Sequence, residues 1–494
     1  MTTTDISQAI KALTSDLFIG GQWVSATGDK RFSTVEALTG ECIAEVAAAS
    51  PADAVRAVDA AAAALEEWSG LGPGGRRAVL QRAAVLLEER AGDLVSMMSR
   101  EMGATAPWCG FNVMVAKGML AEAAAQTYSA VGEVIPSDVP GLTALGVREP
   151  VGVVVGIAPW NAPIILGIRA LAMPLAYGNT VVLKSSEQVP CTQAALVEVL
   201  HDAGVPAGAV NLISNAPDDA AAVVEALIAH PAVARVNFTG STKVGRIIGE
   251  LGGRHLTRVV LELGGKAPQV VLADADLDAA VDAAVFGAFM NQGQICMSAE
   301  RLIVDRSVAD DMLERLVRRA ENLMVGAPDD ARAQIGPMVH EGARDHVMTL
   351  IADAVAQGAE VLVGGTAEGL YVKPTVLRGV TSSMRVYREE SFGPLLAVIE
   401  VDGVDAAVEA ANDSEYGLAA AVFTSDPGQA LQVAQRIKSG ICHINGATVH
   451  DEAQMPFGGV GGSGWGRFGS RAALEEFTEL RWITIQAGHR HYPI

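Results

Sequence analysis

Cysteine and positive charge are both scarce in this chain, and each shortage removes a class of function. The 494 residues hold five cysteines, Cys42, Cys109, Cys191, Cys296 and Cys442. The number is odd, the spacing is wide and no CxxC pair occurs, which argues against a disulfide framework or a zinc ribbon. No metal is expected, and a reducing compartment, the cytoplasm, is. Lys and Arg number 36 against 57 Asp and Glu, a formal net charge of -21. That acidity disfavours nucleic acid and anionic membranes as partners. The opening "MTTTDISQAIKALTSDLFIGG" lacks a basic region followed by an apolar one, so no signal peptide is expected. There is no internal repeat of 20–50 residues and no long low-complexity tract. A membrane span is suggested only by Val151 to Leu183, where Arg169 is the one charge. Pro159, Asn161, Pro163, Pro174 and Gly178 interrupt it. It reads instead as a buried strand, a turn, a helix and a second strand, because a spanning backbone must be bonded internally.

What is abundant is apolar surface, 50% of the residues. A large core is therefore available without disulfides or metal, and the length suits about three domains. From "VGVVVGIA" to "RVVLEL" short apolar runs alternate with helix-like stretches, the signature of βαβ units and a parallel sheet. A second series follows Gly264, with "QVVLAD", "RLIVD", "EVLVGG", "PLLAVIEV", "AAAVFT" and "GICHIN" as strands. The pattern predicts two α/β units that meet near Leu263 to Lys266, after an N-terminal third of mostly Ala-rich helix. The stretches "GEVIPSDVPGLTALGVREP" and "LRWITIQ" read as leftover strands in need of partners, for which a neighbouring subunit is one source.

Several short stretches carry chemistry. "NQGQICMSAE" places Cys296 among amides and a glycine, where a thiol is either incidental or chemically used. "VVLELGGKAP" places Glu262 in an apolar strand. Turned inward, its pKa rises, which suits a general base; turned outward, it is an ordinary strand end. "APWNAP" fixes the Asn161 amide in a turn, as an oxyanion donor or as a turn former. "VNFTGSTKVG" ends a strand and opens a helix with Gly240, Ser241 and Thr242. It is an anion site or a plain capped start, and it is not a GxGxxG pattern. "TVVLKSSE" ends a strand at Lys184, with Glu187 three residues on. That acid could take ribose hydroxyls or simply pair with Lys184.

Taken together and in order, "PWN", "LKSSE", "FTGST", "LELGGK", "NQGQIC", "EESFGP" and "PFGG" resemble the aldehyde dehydrogenase superfamily over nearly the whole chain. The resemblance implies an α/β fold with an NAD-binding domain (1–130 and 151–262), a catalytic domain (263–477) and a β oligomerisation element (131–150 and 478–494). It implies a homodimer or dimer of dimers. Cys296 would be the nucleophile, Glu262 the base that frees the acid product, and Asn161 the oxyanion donor, with Lys184 adding charge or support. The dinucleotide would lie against Trp160, Lys184, Glu187, Gly240, Ser241, Gly245, Leu263, Glu390 and Phe392. NAD is favoured over NADP, since Glu187 would repel a 2′-phosphate. Ile295 is a slight departure, as many relatives have Cys or Val there.

"PWNAPIILGIRA", "QICMSAERLIV" and "HDEAQMPFGG" are most similar to the branch that oxidises vanillin and salicylaldehyde. On that reading Arg169, sharing a helix face with Asn161, meets the ring hydroxyl, and Trp108 and Phe111 form aromatic walls. Otherwise Arg169 pairs with an acid and the aromatics are core. An aliphatic aldehyde or semialdehyde dehydrogenase is the alternative within the superfamily. A cofactor-free cysteine esterase is the alternative outside it, though no His matches a hydrolase signature.

Overall fold

The computed structural model describes residues 16–494. Two sheets organise the chain. In the first, Val210–Ile213, Thr180–Lys184, Val153–Ile157, Val233–Thr239 and Arg258–Glu262 lie side by side and parallel. They are short apolar runs buried on both faces, as a sheet covered by helices on each side requires. In the second, Thr375–Arg378, Leu395–Val401, Ala299–Asp305, Ala267–Val271, Ala419–Phe423 and Ile441–Ile444 are parallel in that order. Glu360–Val363 closes one edge antiparallel. The chain crosses from one sheet to the other between Glu262 and Ala267.

The helix Pro163–Ala176 is buried at all fourteen positions. A helix apolar all round must be enclosed, and this one lies in the largest apolar cluster of the molecule. Pro174, inside it, cannot donate to Ala170. The carbonyl of Ala170 instead accepts from Asn237 Nδ2 at 3.2 Å, which satisfies the group that proline leaves open. Among the described residues no helix is long and apolar enough to cross a membrane.

Two expectations need correction. The N-terminal third does contain the helices Pro51–Gly70, Gly72–Glu89, Ala91–Met102 and Ala106–Gln126, but four strands precede them. Two of these, Leu17–Ile19 and Gln22–Val24, form a hairpin across Gly20 and Gly21, both at positive φ. Such a two-residue turn needs that conformation at both positions. Second, the leftover strands find their partners within the chain. Glu133–Ile135, Leu142–Pro150 and Thr478–Gln486 make one antiparallel three-stranded sheet. Within the stretch 263–477, one short strand leaves the second sheet. Gly464–Trp465 returns to pair with Leu261 and Glu262 at the edge of the first.

Candidate active site

The amides around Cys296 hold its loop in place. Asn291 and Gln292 both sit at positive φ, 49° and 56°, a conformation that costs a non-glycine residue on the order of 1–3 kcal/mol. Side-chain bonds offset that cost. Asn291 Nδ2 donates to the Asn161 carbonyl at 3.2 Å, and Gln292 Nε2 donates to the Pro337 carbonyl at 2.9 Å. The Val339 N–H donates to Gln294 Oε1 at 3.0 Å. The turn of Leu263–Lys266 presses on this loop from the other side. A Cβ on Gly265 would lie 2.3 Å from the Cys296 carbonyl oxygen, so glycine permits the approach.

Three of the expected residues meet here. Glu262 ends the strand Arg258–Glu262 and points inward, 1% exposed. The Cys296 thiol donates to Glu262 Oε2 at 3.8 Å, while Glu262 Oε1 is buried with no partner among the described residues. Burial pushes the Glu262 carboxyl up to about 8, opposed by Arg169 and reinforced by Asp451. Burial, together with the negative charge of Glu262, also pushes the Cys296 thiol well above its ordinary value. Each group therefore holds its proton tightly until a substrate changes the balance. Asn161 is 5% exposed, and its Nδ2 donates to the Gln294 carbonyl at 3.0 Å. That uses one of two amide N–H groups. Trp108 Nε1 fixes the Asn161 backbone by donating to its carbonyl at 3.0 Å.

The residues expected to face a dinucleotide lie at the carboxyl ends of the first sheet and on the adjoining loops. The helix Thr242–His255 starts at Ser241, whose side chain accepts from the Val244 N–H. Its remaining first-turn N–H groups and the helix dipole suit a phosphate. The Gly240 N–H donates to the Glu262 carbonyl at 3.0 Å, tying this turn to the base. A Cβ on Gly245 would sit 2.3 Å from Leu263, so the helix lies close against that residue. Thr242, Gly245, Leu263 and Trp465 line an open cleft beside this helix. Lys184 pairs with Glu187, which also accepts from Asn215 Nδ2 at 2.9 Å. The Lys184 ammonium is thus engaged with Glu187 rather than with Glu262 or Cys296. Glu390 accepts from the Gly265 N–H at 2.8 Å, and burial raises its carboxyl to about 8. Trp160 and Phe392 meet edge to face, with ring centroids 5.7 Å apart. A phosphate-ready helix start, a fixed acid beyond a strand end and an acid next to the thiol fit an extended dinucleotide.

The expected substrate residues divide. Trp108 and Phe111 stack at 5.4 Å, and Trp108 is 2% exposed beside Asn161. Arg169 pairs with an acid, the alternative that the sequence left open. One Nη donates to Asp451, and the guanidinium lies 4.0 Å from the centre of the Phe457 ring. Arg169 and Asn161 do not share a helix, because the helix begins at Pro163.

Sequence reasoning missed Asp451, which belongs to a loop 282 residues from Arg169. It also missed the buried ion pair of Lys266 with Glu300. Glu300 accepts from the N–H groups of Ser391 and Phe392, so this pair anchors the segment that carries Glu390. A charge at the head of the apolar run "AERLIV" was the available signal.

Known proteins match this chain along nearly its full length. The model of the Aldehyde dehydrogenase family matches residues 23–483. A vanillin dehydrogenase of Pseudomonas sp. (strain HR199 / DSM 7063) is 59% identical over 478 residues, 97% of this chain and 99% of the relative. The crystal structure of a salicylaldehyde dehydrogenase from Pseudomonas putida G7, complexed with salicylaldehyde, superposes with a TM-score of 0.96 at 43% identity, over 97% of this chain and 99% of that one. A betaine aldehyde dehydrogenase from Staphylococcus aureus in complex with NAD+ gives 0.95 at 31% identity, over 99% and 98%. Family model, relatives and fold agree with a thiol, a buried carboxylate and an amide converging at the sheet ends: the chain belongs to the aldehyde dehydrogenase family.

Proposed function

We propose that this enzyme oxidises a hydroxylated aromatic aldehyde, of the vanillin or salicylaldehyde type, to its carboxylic acid with NAD. The observation that carries the chemistry is the Cys296 thiol 3.8 Å from a buried Glu262 oxygen. Glu262 takes the thiol proton, and the thiolate adds to the aldehyde carbon. The free Asn161 N–H and the Cys296 backbone N–H receive the oxyanion. NAD, when bound, supplies the hydride acceptor, with Ser241 and the helix start at its phosphates, Lys184 and Glu187 at one ribose, and Glu390 and Phe392 at the other. The resulting thioester on Cys296 is hydrolysed by water that Glu262 deprotonates.

The aromatic substrate class is supported by the two relatives named above and by the wall around Arg169. The guanidinium has further N–H groups that a ring hydroxyl can engage, a charge-assisted bond worth about 1.5–3 kcal/mol. NAD is preferred because Glu187, already held by Lys184 and Asn215, opposes a 2′-phosphate. We assign dinucleotide binding to 1–130 and 151–262, catalysis to 263–477, and oligomerisation to 131–150 and 478–494.

The test is reduced-cofactor formation with vanillin, salicylaldehyde, benzaldehyde, an aliphatic aldehyde and succinic semialdehyde, each with NAD and NADP. The hydroxylated aromatics should give the highest kcat/KM, and NAD should exceed NADP. A clear preference for the aliphatic aldehyde or the semialdehyde would overturn the substrate class, and equal use of NADP would overturn the role of Glu187.

A further inference from the structure

The wall around Arg169 holds two opposite charges. Arg169 is the one charged residue of a fully buried helix. Asp451 comes from the loop that precedes Phe457, and the two side chains are each 6% exposed. They line one cleft with Met119, Met173, Glu452, Met455 and Phe457. Asp451 also lines a second, wider opening, with Met114, Glu122 and Glu452. Asp451 thus stands between the two openings, with Glu452 lining both and Glu122 on the outer rim. The helix that carries Arg169 begins at Pro163, just past Asn161, so Arg169 lies about two helical turns from the proposed oxyanion amide.

A lone guanidinium in such a wall would be a receptor for carboxylates, because its fork bonds them in two places. Asp451 already occupies one edge of that fork. Oδ2 takes the Arg169 bond, which leaves Oδ1 as a further acceptor. A ring hydroxyl can accept from a remaining Arg169 N–H and donate to Asp451. A carboxylate has no proton to donate and meets the Asp451 charge head on. Resting on the reading that Arg169 faces the substrate ring, we infer that Asp451 sets the charge specificity of the enzyme: it neutralises Arg169 so that the cleft accepts an uncharged hydroxylated aldehyde and rejects one bearing a carboxylate.

The experiment compares kcat/KM for 3- and 4-carboxybenzaldehyde, 3- and 4-hydroxybenzaldehyde and benzaldehyde in the wild type, Asp451→Asn and Arg169→Met. Asp451→Asn keeps the shape and removes the charge. The ratio of carboxylated to unsubstituted substrate should rise roughly ten- to hundred-fold, the scale of one unit charge removed at close range in a partly screened site. Arg169→Met leaves Asp451 unpaired, so the same ratio should fall. Asp451 is also among the groups that raise Glu262, so Asp451→Asn should move the acidic limb of the kcat profile to lower pH, which a purely structural role would not do. If either variant is too unstable to assay, the opposite-signed shift in the other decides. An unchanged ratio in a variant that still oxidises benzaldehyde overturns the inference. Failure of the wild type on the hydroxylated aldehydes would instead defeat the proposed substrate class, a result read in a separate arm.

Discussion

At the scale of single residues, Glu262 gives the sharpest expectation. Its carboxyl is raised to about 8, so below that pH it is mostly the neutral acid. A base must be the carboxylate, so thioester hydrolysis should quicken as pH rises toward and through about 8 and then level off. Glu262→Gln removes the acceptor of the thiol proton as well as the base for water, so a stopped-flow burst of up to one reduced cofactor per site should form more slowly than in the wild type, and steady turnover should fall roughly a hundred- to ten-thousand-fold, the usual worth of a positioned base. A full steady state in that variant would remove Glu262 from the mechanism. Cys296→Ala, lacking the nucleophile, should show no burst at all. Cys296, Glu262 and Asn161 stand out in neighbourhoods that contradict their chemistry, a thiol among amides, an acid in an apolar strand and an amide framed by prolines, but each alone left an ordinary reading open and only the ordered motifs together pointed to their roles. Asp451 was not legible. It is an acid in an acidic loop, and only the folded chain brings it to Arg169.

At the scale of elements, the site depends on how the segment Glu389–Pro394 is held. Lys266 and Glu300 are 0% and 3% exposed in their side chains, and the loop hangs from Glu300 by backbone bonds to Ser391 and Phe392. Phe392 adopts a φ of 45°, so those bonds hold it in a conformation it would not choose alone. Lys266→Met leaves Glu300 buried without its counter-ion, which typically costs about 3–5 kcal/mol. Denaturant unfolding should show that loss together with a raised KM for the cofactor. The double variant Lys266→Met, Glu300→Met should recover much of the stability but not the KM, because the loop has lost its anchor. Additive stability losses would show that the two residues do not act as a pair. The parallel strands were readable as apolar runs between turns. The strands of the first fifty residues were not, being only 3–6 residues long and paired through contacts that local periodicity does not record. The edge strand Gly464–Trp465 is two residues, too short for any pattern.

At the scale of the molecule, the three-stranded sheet leaves Val134, Leu480, Trp482 and Ile485 more than half exposed, with Val134 at 76% and Trp482 at 73%. An apolar surface of this kind marks an interaction site, which agrees with the proposed homodimer or dimer of dimers. Sedimentation should find the wild type as one of these and Trp482→Glu shifted toward smaller species. A monomeric wild type would contradict the assignment. The same sheet also sets the order in which the molecule is completed. The strand Thr478–Gln486 pairs with Leu142–Pro150, and Arg148 bonds Thr478 across 330 residues. A ribosome adding about 5–20 residues per second needs on the order of 20–60 s to make that intervening chain. For that interval one side of Leu142–Pro150 is an open strand edge, a template for wrong pairing. If the proposed oligomer forms through this sheet, its subunits can recognise each other only after Thr478–Gln486 has been made, so assembly would itself check that this strand is in place.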